Sequence, residues 1–135
     1  MADTLHLEIV TPEKMVVRDS ADEVQIPGKN GYLGVLPGHA PLITELSVGE
    51  ITYRNSGSTH HLAVAWGFAE VLPDKVTILA ERAEAASEID VKRAQQAKQR
   101  AEEDLRNGKT EEDFTRAEFD LKRAETRIEV AAKRT

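Results

Sequence analysis

The run Ala83-Glu84-Ala85-Ala86-Ser87-Glu88-Ile89-Asp90-Val91-Lys92-Arg93-Ala94 divides this chain into two differently built parts. Before Ala86, short alternating stretches are broken by Gly, Pro and Asn. After it, nearly every second residue is charged, with one Gly and no Pro. Residues 86–135 hold twelve basic and twelve acidic residues, whereas residues 1–85 hold six and twelve. The whole net charge of −6 therefore falls on the first part. Ser87 followed by Asp90 has the spacing of a capping box, so the run also predicts the start of a helix.

Downstream, Thr110 followed by Asp113 repeats the device, and Asn107-Gly108 reads as a helix stop. Two helices are predicted, over roughly 88–106 and 111–132, joined by a tight turn and lying antiparallel. Each has a narrow apolar seam spaced by threes and fours. In the first it is Val91, Ala94, Ala97, Ala101 and Leu105. In the second it is Phe114, Ala117, Leu121, Ala124, Ile128 and Ala131. Each Ala in place of Leu forgoes about 2 kcal/mol of burial, so the hairpin is weakly held shut. That fits a merely marginal helix pair, and equally a pair meant to open.

Upstream, Leu5, Leu7 and Ile9 alternate with His6 and Glu8, the pattern of a half-buried strand that ends at Pro12. Val24 and Ile26 repeat it before Pro27-Gly28, and Lys29-Asn30-Gly31 is a turn signal. Further strands are expected near 49–54, 59–65, 67–72 and 75–79. Their regular spacing predicts an all-β sandwich or barrel, with Trp66 and Phe68 as bulky core candidates.

Composition and missing motifs narrow the function. There are no cysteines, which excludes disulfides and thiolate chemistry. No stretch approaches a membrane span, and the start lacks the basic and apolar regions of a secretion signal, so a soluble cytoplasmic protein is expected. The acidic balance argues against nucleic acid as a partner. No phosphate-binding glycine loop is present, and His6, His39, His60 and His61 lack zinc-ligand spacing. No nucleophile–base arrangement stands out, so neither a catalytic residue nor a metal site is assigned and an enzyme is not expected.

The residues one position before each seam residue include Asp90, Arg93 and Arg100 in the first helix, and Arg116, Asp120, Arg123 and Arg127 in the second. Each lies about 100° back around its helix. In an antiparallel pair these flanks share one edge, so that Arg93 faces Arg123, Arg100 faces Arg116, and Asp90 lies near Arg127. Juxtaposed arginines repel unless an anion sits between them, and their forks match phosphate oxygens. The alternative is a solvated face whose charges pair locally, such as Arg116 with Asp120 and Asp90 with Arg93.

The segment Gly31-Tyr32-Leu33-Gly34-Val35-Leu36-Pro37-Gly38-His39-Ala40-Pro41-Leu42 reads physically as a turn-rich connection. It closely resembles the Gly-x-Leu-Gly-x-x-Pro-Gly-His-Ala-Pro-Leu signature of the epsilon subunits of F-type ATP synthases. The resemblance continues in Gly67-Phe68-Ala69-Glu70-Val71, in Val76-Thr77-Ile78-Leu79-Ala80 and in the two-helix tail, covering essentially the whole chain. It implies a mainly β plus α fold: an N-terminal β-sandwich over 1–86 that binds the gamma subunit and the c ring, then a C-terminal antiparallel two-helix hairpin over 87–135 with a regulatory role.

The resemblance also implies a noncatalytic rotor subunit of the central stalk, peripheral to the cytoplasmic face of the cell membrane and coupling proton flow to ATP synthesis. In bacterial members the C-terminal helices can extend into the alpha/beta catalytic head and block ATP hydrolysis. Some members bind ATP in the closed hairpin through Ile/Leu-Asp-x-x-Arg-Ala, which Ile89-Asp90-Val91-Lys92-Arg93-Ala94 matches in full. Glu84, Arg100, Arg123 and Arg127 fall at the family's other nucleotide-contacting positions. Arg93, Arg100, Arg123 and Arg127 would hold phosphates, and Asp90 would orient an arginine or meet the sugar or base. ATP is then a regulatory ligand, with no other cofactor. Tyr32 and His39 belong to the loop facing the c ring, where members often carry an acid at the position of Tyr32; a specific charged contact is therefore not expected there. The competing reading is a stand-alone nucleotide-sensing module, which co-purification with gamma would discriminate.

Overall fold

The computed structural model describes residues 3–134. Eight strands precede two helices: β1 (Leu5–Val10), β2 (Met15–Ala21), β3 (Glu23–Gly28), β4 (Gly31–Val35), β5 (Leu42–Leu46), β6 (Gly49–Asn55), β7 (Ser58–Val71), β8 (Lys75–Ala85), α1 (Val91–Asn107) and α2 (Glu111–Ala131). A single 3-10 turn, Ala86–Glu88, links β8 to the helices. The strands form a β-sandwich and the helices an antiparallel hairpin, as the sequence and the resemblance lead one to expect.

Leu5, Leu7 and Ile9 of β1 all face inward, joined by Val24 and Ile26 of β3, Ile51 of β6, and Val76 and Ile78 of β8. Each such side chain contributes about 1.5–3 kcal/mol by leaving water. No helical residue belongs to this core. The first layer runs β2–β1–β8–β7–β5, with β1 parallel to β8. The second runs through β4, β3 and β6 back to β7.

Strand β7 serves both layers. Its first half, Ser58–Val64, pairs with β6, and its second, Gly67–Val71, pairs with β5. The chain turns between them at Trp66 and Gly67, where φ is +53° and +132°. Only glycine fits the second position, because a Cβ there would lie 1.9 Å from the Leu79 carbonyl oxygen. The two strands expected over 59–65 and 67–72 are thus one kinked strand.

Several expectations need correction. Strands β2 and β5 have no clean alternation, since β2 lies at the sheet edge and only Leu46 of β5 is buried. They exist by pairing with β1 and β7, which a local pattern does not report. The segment Gly31–Leu42 is not all connection, because its first five residues form β4 and its last opens β5. Phe68 is not a core residue. It is 53% exposed, opposite Leu79 on the outer face, and Ile43 is 71% exposed on β5. Trp66 is half-buried, and the kink carries it to α2, where its ring meets Phe119 edge-on at 5.8 Å.

Helix α1 begins at Val91 rather than near 88. Ile89 is extended and buried against Ala63, Ala86, Val130 and Ala131, which pulls the chain out of helix until Asp90 caps it. The box at the start of α2 is formed as expected. The Thr110 hydroxyl accepts the Asp113 N–H at 3.1 Å, and Asp113 Oδ2 accepts the Thr110 and Lys109 N–H groups at 3.3 and 3.2 Å. Gly108 ends α1 without a left-handed φ, and its role is space: a Cβ would meet the Asp104 carbonyl at 3.1 Å and Asp113 Cβ at 3.3 Å.

Two outcomes follow from these geometries. Gly67→Ala should lower stability by roughly 3 kcal/mol or more, measured by urea unfolding, because both φ and the Leu79 carbonyl oppose the methyl group. The Lys109 N–H, then the Thr110 groups, hold the Asp113 carboxyl below its ordinary range. A depressed folded-state value stabilises at neutral pH and loses its effect as pH falls through that value. Amide shifts of residues 111–114 should therefore show α2 fraying in acid, and Asp113→Asn should remove that pH dependence.

Candidate functional site

Helical spacing brings the candidate residues together. Arg93 and Arg100 lie seven positions apart on α1, and Arg123 and Arg127 four apart on α2, so each pair shares a helix face. All four line one cavity of about 850 Å³, together with Glu84 of β8. The helices add Asp104 and Asp120, and the sandwich supplies the facing wall: Val64 and Ala65 of β7, Glu81 and Arg82 of β8, and the turn Thr11–Lys14 between β1 and β2. The seam alanines Ala94, Ala101, Ala117 and Ala124 are buried, which lets the two helices approach closely.

Two of the four arginines are held by protein groups. Arg127 makes a forked pair with Glu84, Nε to Oε1 at 2.7 Å and Nη2 to Oε2 at 3.2 Å. Arg123 donates to Asp120 Oδ1 at 3.2 Å, and its guanidinium sits 5.6 Å over the Trp66 ring. Arg93 and Arg100 make no ion pair among the described residues. The cavity therefore presents two unpaired guanidinium groups from α1 opposite two anchored ones from α2. Such a set can bind a multiply charged oxyanion in several forks at once.

Of the other candidate residues, only Asp120 lines the cavity. Arg116 is exposed and does not line the cavity, so the expected meeting of Arg100 with Arg116 is not made there; Asp120 pairs instead with Arg123. Arg127 turns to Glu84, where the helix register alone placed it near Asp90. Asp90 Oδ1 accepts the backbone N–H of Arg93 at 3.1 Å, so it fixes where Arg93 leaves the helix start. Ile89 lies in the small apolar cluster with Val130, and Ala94 is in the helix seam. Tyr32 and His39 lie near opposite ends of β4. Tyr32 is 57% exposed, and its oxygen accepts the Glu50 N–H at 3.1 Å. His39 donates its N–H to the Leu36 carbonyl at 3.1 Å, beside Gly38, which bonds the Pro73 carbonyl.

Lys14, Arg82 and Trp66 were missed as members or neighbours of this site. No local signal marks them, because the folded sandwich alone carries them to the hairpin. Among the described residues, no cluster of His, Cys, Asp or Glu can hold a metal, and no helix is long and apolar enough to cross a membrane.

Family models match both parts of the chain. The beta-sandwich domain of the ATP synthase delta/epsilon chain matches residues 4–86, and its long alpha-helix domain matches residues 87–132. The chain belongs to the ATP synthase delta/epsilon family. An ATP synthase epsilon chain of Koribacter versatilis is 72% identical over 105 residues, spanning 78% of this chain and 74% of that one. One from Nitratidesulfovibrio vulgaris is 48% identical over 130 residues, covering 96% and 97%. A chain in the cryo-EM structure of the Euglena gracilis mitochondrial ATP synthase, OSCP/F1/c-ring, has a TM-score of 0.84 at 21% identity. That match covers 98% of this chain and 83% of that one, and shows the shared fold. The protein is thus a subunit of a synthase complex rather than its catalytic unit.

Because the main core contains no helical residue, truncation after Ala86 should leave a cooperatively folding sandwich. The single Trp, Trp66, then loses Phe119 and Arg123. Its emission should shift to the red, while the β signal in circular dichroism persists.

Proposed function

We propose that this subunit is a rotor element of the central stalk of a proton-translocating ATP synthase, with a hairpin that acts as a ligand-sensitive brake on hydrolysis. The observation that carries the reading is the convergence of Arg93, Arg100, Arg123, Arg127 and Glu84 on one cavity between hairpin and sandwich. A triphosphate fits the four guanidinium groups, and Asp90 serves by aiming Arg93. ATP bound across both helices favours the closed hairpin, since a ligand shifts a population toward the state it binds better. At low ATP the hairpin leaves the sandwich, extends along gamma and reaches the alpha/beta head.

The sandwich supplies the fixed attachment. Ile43, Phe68 and Leu79 form an exposed apolar surface on its outer face, of the kind that marks a protein contact, and gamma is its proposed partner. The loop of Tyr32 and His39 is the proposed contact to the c ring, made through shape and apolar surface. These contacts hold the subunit at the cytoplasmic face of the cell membrane, where proton flow through the ring is coupled to synthesis.

Titration of ATP into the full chain tests the ligand reading, with Trp66 emission and thermal melting as readouts. A saturable change is expected. Arg93→Ala, which removes an arginine without an ion-pair partner, should weaken it by about tenfold or more while leaving the fold intact. If neither ATP nor sulfate moves either signal, the site is not an anion site. A chain truncated after Ala86 that still inhibited hydrolysis in full would exclude the tail as the brake.

A further inference from the structure

The closed hairpin is tied to the sandwich at a place that the arginine cavity does not include. Lys133, just beyond α2, donates from Nζ to both carboxylate oxygens of Glu50 on β6, at 2.6 and 2.8 Å. The Glu50 side chain is only 13% exposed, and His61 Nδ1 lies 3.4 Å from its Oε2 without a hydrogen-bond partner. Tyr32 fixes the same strand position by accepting the Glu50 N–H, its oxygen packed where a Cβ on Gly49 would stand at 2.8 Å. The neighbouring Arg134 donates from Nη2 to the Ile89 carbonyl at 2.9 Å and from Nε to the Ala131 carbonyl at 3.0 Å. It thereby straps the last turn of α2 to the segment entering α1.

We propose that Lys133 and Arg134 form a latch, which keeps the hairpin on the sandwich without any ligand and whose release is the first step of opening. In the same last turn, Val130 and Ala131 pack on Ile89, Ala86 and Ala63, a small cluster separate from the main core. Packing of the hairpin on β6, β7 and the 3-10 turn falls chiefly to α2. The rest of the interface is the forked pair of Arg127 with Glu84, the contact of Trp66 with Phe119 and Arg123, and an open cavity. Freeing the last turn of α2 therefore removes the apolar cluster together with the Lys133 and Arg134 ties, and leaves the hairpin held by Arg127 and the Trp66 contacts. The proposal rests on the reading that the hairpin can leave the sandwich, and concerns what opposes that step.

Hydrogen exchange of the full chain, free of nucleotide, tests it. The amides of 124–132 should exchange through an opening that leaves β1 and β8 protected. Lys133→Gln and Glu50→Gln should each speed that exchange by roughly three- to tenfold, the range for a partly buried charged hydrogen bond. The double variant should match either single one, and the reversed pair Glu50→Lys with Lys133→Glu should recover part of the protection. If the single variants exchange like the unaltered chain while 124–132 still open before β1 and β8, the latch is wrong and hairpin opening stands. If 124–132 exchange only together with β1 and β8 in every variant, hairpin opening is wrong, and the latch falls with it.

Discussion

Strand β7 belongs to two layers at once, and it can do so because its backbone turns at Trp66 and Gly67. A straight strand would continue one layer and leave the other unpaired. The same turn determines where the helices rest. It moves Trp66 off the sandwich core and onto α2, where the ring meets Phe119 and lies beneath Arg123. One strained position thus builds the sandwich and supplies the surface against which the hairpin docks. Strain of this sort persists only where the surroundings over-determine it, and here β5, β6 and β8 all hold β7 in place.

The two modules differ in how they are held. The sandwich buries a continuous set of Leu, Ile and Val side chains. The hairpin buries chiefly alanines, with Ile89 and Val130 as the larger members of its attachment. Since burial energy scales with apolar area, opening the hairpin costs far less than unfolding the sandwich. Polar ties make up part of the difference, and such ties are sensitive to ligands, partners and salt in ways that an apolar core is not.

What the sequence disclosed depends on whether the governing forces were local. The capping pair Thr110 and Asp113, the alanine seam and the grouping of four arginines were legible because they follow from spacing along a helix. Strands β2 and β5 were not, because their existence depends on partners far along the chain. The start of α1 was misplaced for a related reason: Ser87 and Asp90 had the right spacing, but burial of Ile89 overrode it. Phe68 looked like core by type and points to solvent by register. The cavity was half legible. Its arginines came from the helices, whereas Lys14 and Arg82 reach it only through the folded sandwich.

The lengths of the helices have a geometric consequence. With a rise of about 1.5 Å per residue, the stretch from Arg93 to Arg127 would span about 50 Å if drawn out as one straight helix. The four guanidinium groups that line a single cavity would then be strung along that rod. The pocket depends on the folded hairpin, and a hairpin that opened would lose it. A small ligand that touches both helices would then favour the folded hairpin over the drawn-out rod.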